Sequence, residues 1–142
     1  MKALICNEFG STKNLTLEEV KSPEPGAGQV LIDVHAAGIN FPDVLTVQGK
    51  YQFKPSLPFT PGIEVSGVIK KVGKDVKMRK VGDEVISTLQ TGAFASEVVT
   101  SENSTFLKGN MSFEQAAGFA LTYGTSYYAL KQRARLVAGE TV

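Results

Sequence analysis

The side chains best suited to chemistry lie in two short segments, Gly38-Ile39-Asn40-Phe41-Pro42-Asp43 and Pro61-Gly62-Ile63-Glu64-Val65-Ser66-Gly67. Asn40 ends an alternating strand pattern where a short helix is predicted to begin, and its amide offers both a donor and an acceptor. Asp43 and Glu64 could meet across the Asn40 loop, although the helix macrodipole also explains an acidic residue in a first helical turn. The arrangement resembles a metal site from which the metal ligands are absent.

Thr125 is the other polar side chain of interest, because it follows a predicted helix break where its hydroxyl could be displayed. Asn40 and Thr125 both have capping explanations as well. His35 is the only imidazole, and the chain has no Gly-x-Ser-x-Gly elbow, so hydrolase chemistry is disfavoured. No Gly-x-Gly-x-x-Gly phosphate loop occurs in the chain either.

Composition sets the class of protein. The chain has 142 residues and a net charge of +1, which is typical of one soluble domain and indicates neither nucleic acid nor a membrane surface as partner. No apolar run approaches the roughly 20 residues that span a bilayer. A single cysteine, Cys6, cannot form an internal disulfide, which predicts a cytoplasmic setting. One Cys and one His also make a zinc site of such ligands very unfavourable.

The elements that must position these residues are mostly strands. Alternating or apolar runs bounded by turn residues predict strands at residues 2–6, 15–20, 29–37, 64–72, 84–89 and 94–100. A single short helix is predicted over residues 41–47, with Asn40 as its N-cap and Pro42 near its first position. This regular spacing predicts an all-β barrel or sandwich in the first two-thirds of the chain.

The last third has a helical pattern. Ser112 and Gln115 predict a capping box, and the apolar residues that follow have helical spacing. A break near residues 121–124, where Gly124 lies, predicts two consecutive helices. After the second helix, residues 136–142 turn and begin what is predicted to be a new strand, so the chain is expected to be cut there.

The sequence resembles the N-terminal, GroES-like catalytic domain of the medium-chain dehydrogenase/reductase superfamily, and within it the zinc-free NADPH:quinone oxidoreductases of the zeta-crystallin type. The resemblance rests on pieces in order along nearly the whole chain: residues 1–3, 30–43, 49–51, 57–67, 82–85, 92–95 and 118–130. It implies a mainly β fold with a few helices, built as a partly open β-barrel with a helical C-terminal segment and truncated before a Rossmann domain.

The resemblance also separates this chain from the zinc-dependent members. Those members have a Cys at the position of Asn40 and a His at the position of Ile63, whereas Glu64 is retained here. They also carry a four-cysteine structural zinc lobe where this chain has only the turn after Leu89. Zinc-polarised alcohol oxidation is therefore not expected, and no metal is expected at the site.

The activity that the resemblance implies is direct hydride transfer from NADPH to a quinone or an activated enone. Asn40 and Tyr51 are the expected catalytic residues, because they could stabilise the oxyanion developing on a reduced carbonyl, with Asp43 supporting them from behind. Asn40 and Thr125 are expected to contact the nicotinamide end of NADP(H). Leu45 is grouped with them because it stands where several relatives have a Tyr.

The resemblance implies a domain division as well. Residues 1–135 form the GroES-like catalytic domain, and residues 136–142 begin a nucleotide-binding domain that would bind most of the NADP(H) and form the usual homodimer contact. The isolated chain is therefore expected to be inactive. The alternative is a stand-alone GroES-like module with a binding or interaction role and no enzymatic activity.

Overall fold

The computed structural model describes residues 1–142, and it is mainly β as the sequence predicts. The strands are β1 (Lys2–Ile5), β2 (Thr16–Glu19), β3 (Gln29–Ala37), β4 (Glu64–Val72), β5 (Glu84–Thr88), β6 (Glu97–Ser101) and β7 (Thr105–Leu107). The helices are α1 (Phe41–Val47), α2 (Phe113–Ala117) and α3 (Ala120–Tyr127), which a π-helix continues (Tyr128–Arg133). None of these helices is long and apolar enough to cross a membrane.

The strands form two antiparallel sheets. Five strands pair in the order β6-β3-β4-β5-β7, and β1 pairs with β2 alone. Single bridges from Ala3 to Ala95 and from Cys6 to Phe59 join the small sheet to the rest of the fold. The sheets do not close into a barrel, in keeping with the partly open architecture that was expected.

The main hydrophobic cluster packs against the large sheet. Seven buried side chains form its centre, and they come mainly from β3, β4 and β5: Val30, Ile32, Val65, Ile69, Val85, Ala93 and Val98. Alternation along β3 places Val30 and Ile32 in this cluster, with Val34 packed against it, as the sequence pattern predicts. A second, smaller cluster joins Cys6 to Val47 of α1 and to Phe59.

The segment before β6 differs from the prediction. A strand was predicted from residue 94, but β6 begins at Glu97. The backbone N–H groups of Ala93 and Phe94 donate instead to the carbonyls of Gly62 and Pro61, at 3.1 and 2.9 Å. These bonds fasten the segment to the Pro61-Gly62 turn rather than to a ladder. The short strand β7 was not predicted, because its three residues give too brief a pattern.

The helix break also lies earlier than predicted. It falls at Gly118 and Phe119, and Gly124 remains inside α3, so the prediction of a break at residues 121–124 was wrong. Gly118 ends α2 with φ −100° and ψ 7°, a conformation between helix and extended chain. The capping box that starts α2 is confirmed, since Ser112 Oγ accepts from Gln115 N–H at 3.2 Å and Gln115 Oε1 accepts from Ser112 N–H at 3.0 Å.

The end of the chain forms a turn at residues 138–139 and no strand. The strand predicted to begin within residues 136–142 is therefore not formed by these residues, which have no partner strand beside them. The division of the chain at residue 135 into two domains stays a prediction.

The backbones of β3 and β4 pass close to each other at Gly67. A Cβ atom at Gly67 would lie 2.0 Å from the carbonyl oxygen of Asp33 and 2.8 Å from Ile32 Cγ2. Gly67 pairs with Val34, next to an irregularity in the β3–β4 register between Val34 and Ala36. Only a residue without a side chain allows the two backbones to pass at this point.

We therefore expect Gly67→Ala to lower the free energy of unfolding by about 2–3 kcal/mol, because the contacting atom is backbone and the two central strands must separate. Gly118→Ala is the matched control, since a Cβ there has no heavy atom within 4 Å. Urea unfolding followed by circular dichroism measures both variants. Equal stabilities for the two variants would contradict the role given to Gly67.

Candidate active site

Asn40 lies at the junction between β3 and α1, as the sequence predicts. It is the N-cap of α1 with extended dihedral angles, φ −122° and ψ 154°, and Pro42 occupies the first turn, where its missing N–H costs nothing. The Asn40 N–H donates to Asp43 Oδ2 at 2.8 Å, and the Asn40 carbonyl oxygen accepts from the Asp43 N–H at 3.0 Å. The backbone of Asn40 is thereby fixed by the helix that it begins.

The side chain of Asn40 is held by Glu64, the first residue of β4. Glu64 is 1% exposed, and its Oε1 accepts a hydrogen bond from Asn40 Nδ2 at 2.9 Å. Its other oxygen, Oε2, accepts from the backbone N–H of Leu121 in α3 at 3.1 Å. Gly38 makes room for this carboxylate, because a Cβ there would lie 2.4 Å from Glu64 Oε1.

Asp43 lies behind Asn40 and is 3% exposed. Its Oδ2 is bonded to Asn40, but its Oδ1 has no hydrogen-bond partner. Burial raises the pKa of the Asp43 carboxyl, the hydrogen bond from the Asn40 backbone opposes this, and the charge of Glu64 adds to the rise. The two carboxylates expected to meet across the Asn40 loop thus both contact Asn40, one at its backbone and one at its amide side chain.

Three of the predicted site residues line one cavity, which has a volume of about 530 Å³. They are Asn40, Tyr51 and Thr125, and the remaining lining residues are Phe41, Pro42, Leu121, Thr122 and Ser126. The Thr122 hydroxyl donates to the Gly118 carbonyl at 2.6 Å, so it is already engaged. The hydroxyls of Tyr51 and Thr125 make no hydrogen bond within the chain, which leaves them available to a ligand.

The other two predicted residues do not line this cavity. Asp43 is buried and bonds the backbone N–H of Asn40. Leu45 contributes its backbone, because its carbonyl oxygen accepts from the N–H groups of Lys50 and Tyr51 at 2.8 and 3.2 Å. The end of α1 therefore holds the segment that carries Tyr51, and the Leu45 side chain is not part of the cavity wall.

A second cavity adjoins the first. It has a volume of about 270 Å³ and shares Tyr51 and Leu121 with the larger one. Its other lining residues are mostly apolar: Phe53, Ile63, Thr88, Leu89 and Gln90. Ile63 thus faces the space next to Asn40, as expected if these two positions correspond to one site in the zinc-dependent members. More polar residues line the larger cavity than the smaller one, whose lining residues are mostly apolar.

Sequence reasoning missed several residues of this site. Leu121, Thr122 and Ser126 reach the cavity from the same helix as Thr125. The signal that would have found Leu121 and Thr122 is helical spacing, since residues three and four positions from Thr125 lie on its face. Their omission followed from placing the helix break at residues 121–124, which removed both of them from the helix.

The chain's other candidate metal ligands lie elsewhere. No group of three or more His, Cys, Asp or Glu side chains could together hold a metal ion. Cys6 is buried in the small cluster, and burial raises the pKa of its thiol. His35 packs on the ring of Phe113, with 4.2 Å between ring centroids. Neither side chain lines the cavities beside Asn40.

Several known proteins are similar to this chain in sequence and fold. Residues 26–137 match the alcohol dehydrogenase GroES-like domain. The chain is 44% identical to a quinone oxidoreductase-like protein 2 homolog of Nematostella vectensis, over 99% of the chain and 39% of that protein. It is 38% identical to the quinone oxidoreductase of Lama guanicoe, over 100% of the chain and 44% of that protein. The chain spans about two fifths of the length of these relatives.

Solved structures that are similar to this chain include proteins of the same kind as these relatives. The chain is similar to the Escherichia coli quinone oxidoreductase complexed with NADPH, with a TM-score of 0.87 and 30% identity over 94% of this chain and 41% of that one. It is also similar to the human synaptic vesicle membrane protein VAT-1 homolog-like protein, with a TM-score of 0.95 and 34% identity over 98% of this chain and 45% of that one. The chain therefore belongs to the alcohol dehydrogenase GroES-like domain family, within the quinone oxidoreductase-like medium-chain dehydrogenases and reductases.

Proposed function

We propose that this chain forms one wall of the active site of an NADPH-dependent oxidoreductase that reduces quinones or activated enones by hydride transfer without zinc. The observation that carries the proposal is the convergence of Asn40, Tyr51 and Thr125 on one cavity. These side chains come from the start of α1, the loop after it and α3, so the fold brings together residues that are distant in sequence.

The polar groups in the larger cavity suit the nicotinamide end of the cofactor. Asn40 uses one Nδ2 hydrogen on Glu64, which leaves its second Nδ2 hydrogen for a ligand. A carboxamide needs one donor and one acceptor side by side, and the Thr125 hydroxyl adds a group that can serve as either. When bound, NADPH supplies the hydride, and Asn40 and Thr125 would hold and orient its nicotinamide end.

The smaller cavity suits the electron acceptor. Its wall is mostly apolar, and Tyr51 stands where it meets the larger cavity. A quinone or enone places an apolar ring or chain beside a carbonyl oxygen, which matches an apolar compartment with a hydroxyl at its border. The Tyr51 hydroxyl is a donor that would stabilise negative charge on this oxygen, and the one remaining Nδ2 hydrogen of Asn40 would be shared between this oxygen and the nicotinamide end.

The side chains beside Asn40 are poor ligands for zinc. Asn40 and Ile63 offer an amide and a hydrocarbon, whereas zinc prefers thiolate, imidazole and carboxylate ligands. The adjoining carboxylate, Glu64, already accepts two hydrogen bonds from the protein. These side chains support a reaction in which hydrogen bonds, rather than a metal ion, polarise the carbonyl of the electron acceptor.

Binding of the cofactor phosphates is proposed to require residues outside this chain. Residues 1–142 contain no Gly-x-Gly-x-x-Gly sequence with which a strand–turn–helix unit would bind a pyrophosphate. The relatives extend well beyond the length that the chain covers. The alternative of a stand-alone binding module makes a different prediction, because such a module would act without NADPH.

Asn40→Ala tests the central residue in the oxidoreductase that contains this chain. We expect turnover with a quinone to fall on the order of a hundredfold, because a preorganised donor is removed from the developing charge. Asn103→Ala is the matched control, since Asn103 is exposed and outside both cavities. Steady-state kinetics and circular dichroism separate lost activity from lost fold, and an unchanged rate would remove Asn40 from the site.

Tyr51→Phe tests the hydroxyl between the two cavities. We expect kcat/KM for the acceptor to fall by about 2- to 10-fold, the effect of losing one neutral hydrogen bond of about 0.5–1.5 kcal/mol. Tyr128→Phe is the control, because Tyr128 is exposed and lines neither cavity. If both variants keep the parent kcat/KM, the hydroxyl of Tyr51 has no part in binding or polarising the acceptor.

Titration of NADPH into the 142-residue chain tests the division of labour. We expect weak or undetectable binding by this chain and tight binding by a protein that also contains a nucleotide-binding domain, because the phosphates supply much of the cofactor's recognition. Nicotinamide fluorescence is the measurement. Micromolar affinity in the chain alone would contradict this division. Failure of the longer protein to bind NADPH would favour the stand-alone module.

A further inference from the structure

Glu64 is a fully buried carboxylate that contacts residues on both sides of the larger cavity without lining it. One of its oxygens accepts from the side chain of Asn40, and the other accepts from the backbone of Leu121. Asn40 begins α1 and Leu121 lies in the first turn of α3, so a single carboxylate joins two helices that do not follow one another in the chain.

The first contact decides which way the Asn40 amide faces. A carboxylate has only acceptors, so the amide must turn its Nδ2 toward Glu64 rather than its Oδ1. Rotation of the amide by half a turn would place oxygen against oxygen in a buried position, which is strongly unfavourable. The carboxylate therefore selects one of two amide orientations that are nearly identical in shape, and it turns Oδ1 away from itself.

The second contact caps α3. The first turn of a helix has N–H groups without partners inside the helix, and the N-cap of α3, Phe119, has no side chain that could accept from them. Glu64 Oε2 accepts from Leu121 N–H and so supplies the missing cap from another element. Its negative charge also lies at the helix end that favours it. This turn of α3 carries Leu121 and Thr122 in the cavity wall, with Thr125 on the next turn.

We infer that Glu64 is a positioning residue that fixes the donor and acceptor order of Asn40 and holds the cavity-lining face of α3 against it. The inference rests on the proposed function only in treating Asn40 as a group that binds a ligand. The orientation of the amide and the capping of α3 can be measured in this chain without any reaction, so they stand or fall separately from the oxidoreductase activity.

The first test uses Glu64→Gln, because glutamine keeps the shape of glutamate but has a single acceptor oxygen. One oxygen replaces the two that accept from Asn40 Nδ2 and from the Leu121 N–H. We therefore expect at least one of these two groups to exchange its hydrogen with solvent about tenfold or more faster in the variant, as read by nuclear magnetic resonance. Unchanged exchange at both groups would overturn the inference.

Asp43→Asn is the matched control for this measurement. Asp43 is also buried beside Asn40, but it bonds the backbone N–H of Asn40 and not its amide side chain. Exchange at Asn40 Nδ2 and at the Leu121 N–H should stay within about twofold of the parent chain. An equal effect of Asp43→Asn would mean that any change of a buried carboxylate loosens the site, and it would overturn the specific role of Glu64.

A second test exchanges the donor and the acceptor between positions 40 and 64. It remains informative even if the single variant Glu64→Gln does not fold. Asn40→Asp places one carboxylate against another and should raise the unfolding equilibrium constant by about tenfold or more at neutral pH. Adding Glu64→Gln should reverse most of this change, because the glutamine amide can donate to the new carboxylate while its own oxygen accepts from the Leu121 N–H. Loss of stability in the double variant as large as in Asn40→Asp would overturn the inference.

Discussion

The pairing of β3 with β4 is the interaction on which the core and the site both depend. These two strands supply most of the central buried side chains, and they pass within contact distance of each other at Gly67. Asn40 follows the end of β3, and Glu64 begins β4, so the antiparallel register brings the two residues together. A change in this register would separate the amide from its carboxylate.

The centre of the fold could be predicted because β3 and β4 are long, with nine residues each. The bounds of β3, α1 and β4 follow directly from alternation, from the position of Pro42 and from the turn before Glu64. The start of β6 could not be predicted in this way, because the preceding residues bond to the Pro61-Gly62 turn, a contact between segments distant in sequence. The helix break was misplaced because a glycine inside α3 weakens the helix without ending it.

Part of the site could also be predicted from the sequence. Asn40 stood out because a polar residue at a strand-to-helix junction is displayed there, and the role given to Tyr51 came from the family resemblance. The position of Glu64 as a link between Asn40 and α3 could not be read from spacing, since Leu121 contributes only its backbone N–H to that link. Any residue type except proline can supply a backbone N–H, so the sequence does not reveal such a partner. Because the chain belongs to an oxidoreductase family, these residues are interpreted as part of an oxidoreductase active site.

The burial of the Asp43 carboxyl has a consequence for how the stability of the chain depends on pH. Because burial and the neighbouring Glu64 raise the pKa of Asp43 in the folded chain, the folded state binds a proton more tightly at this residue than the unfolded state does. Its contribution therefore favours folding below the ordinary pKa of an aspartic acid and is lost as the pH rises through the raised value. Most paired carboxylates have the opposite effect. Protonation of Asp43 in mild acid instead adds to the free energy of unfolding of the chain, and it does so at the start of the helix that follows Asn40.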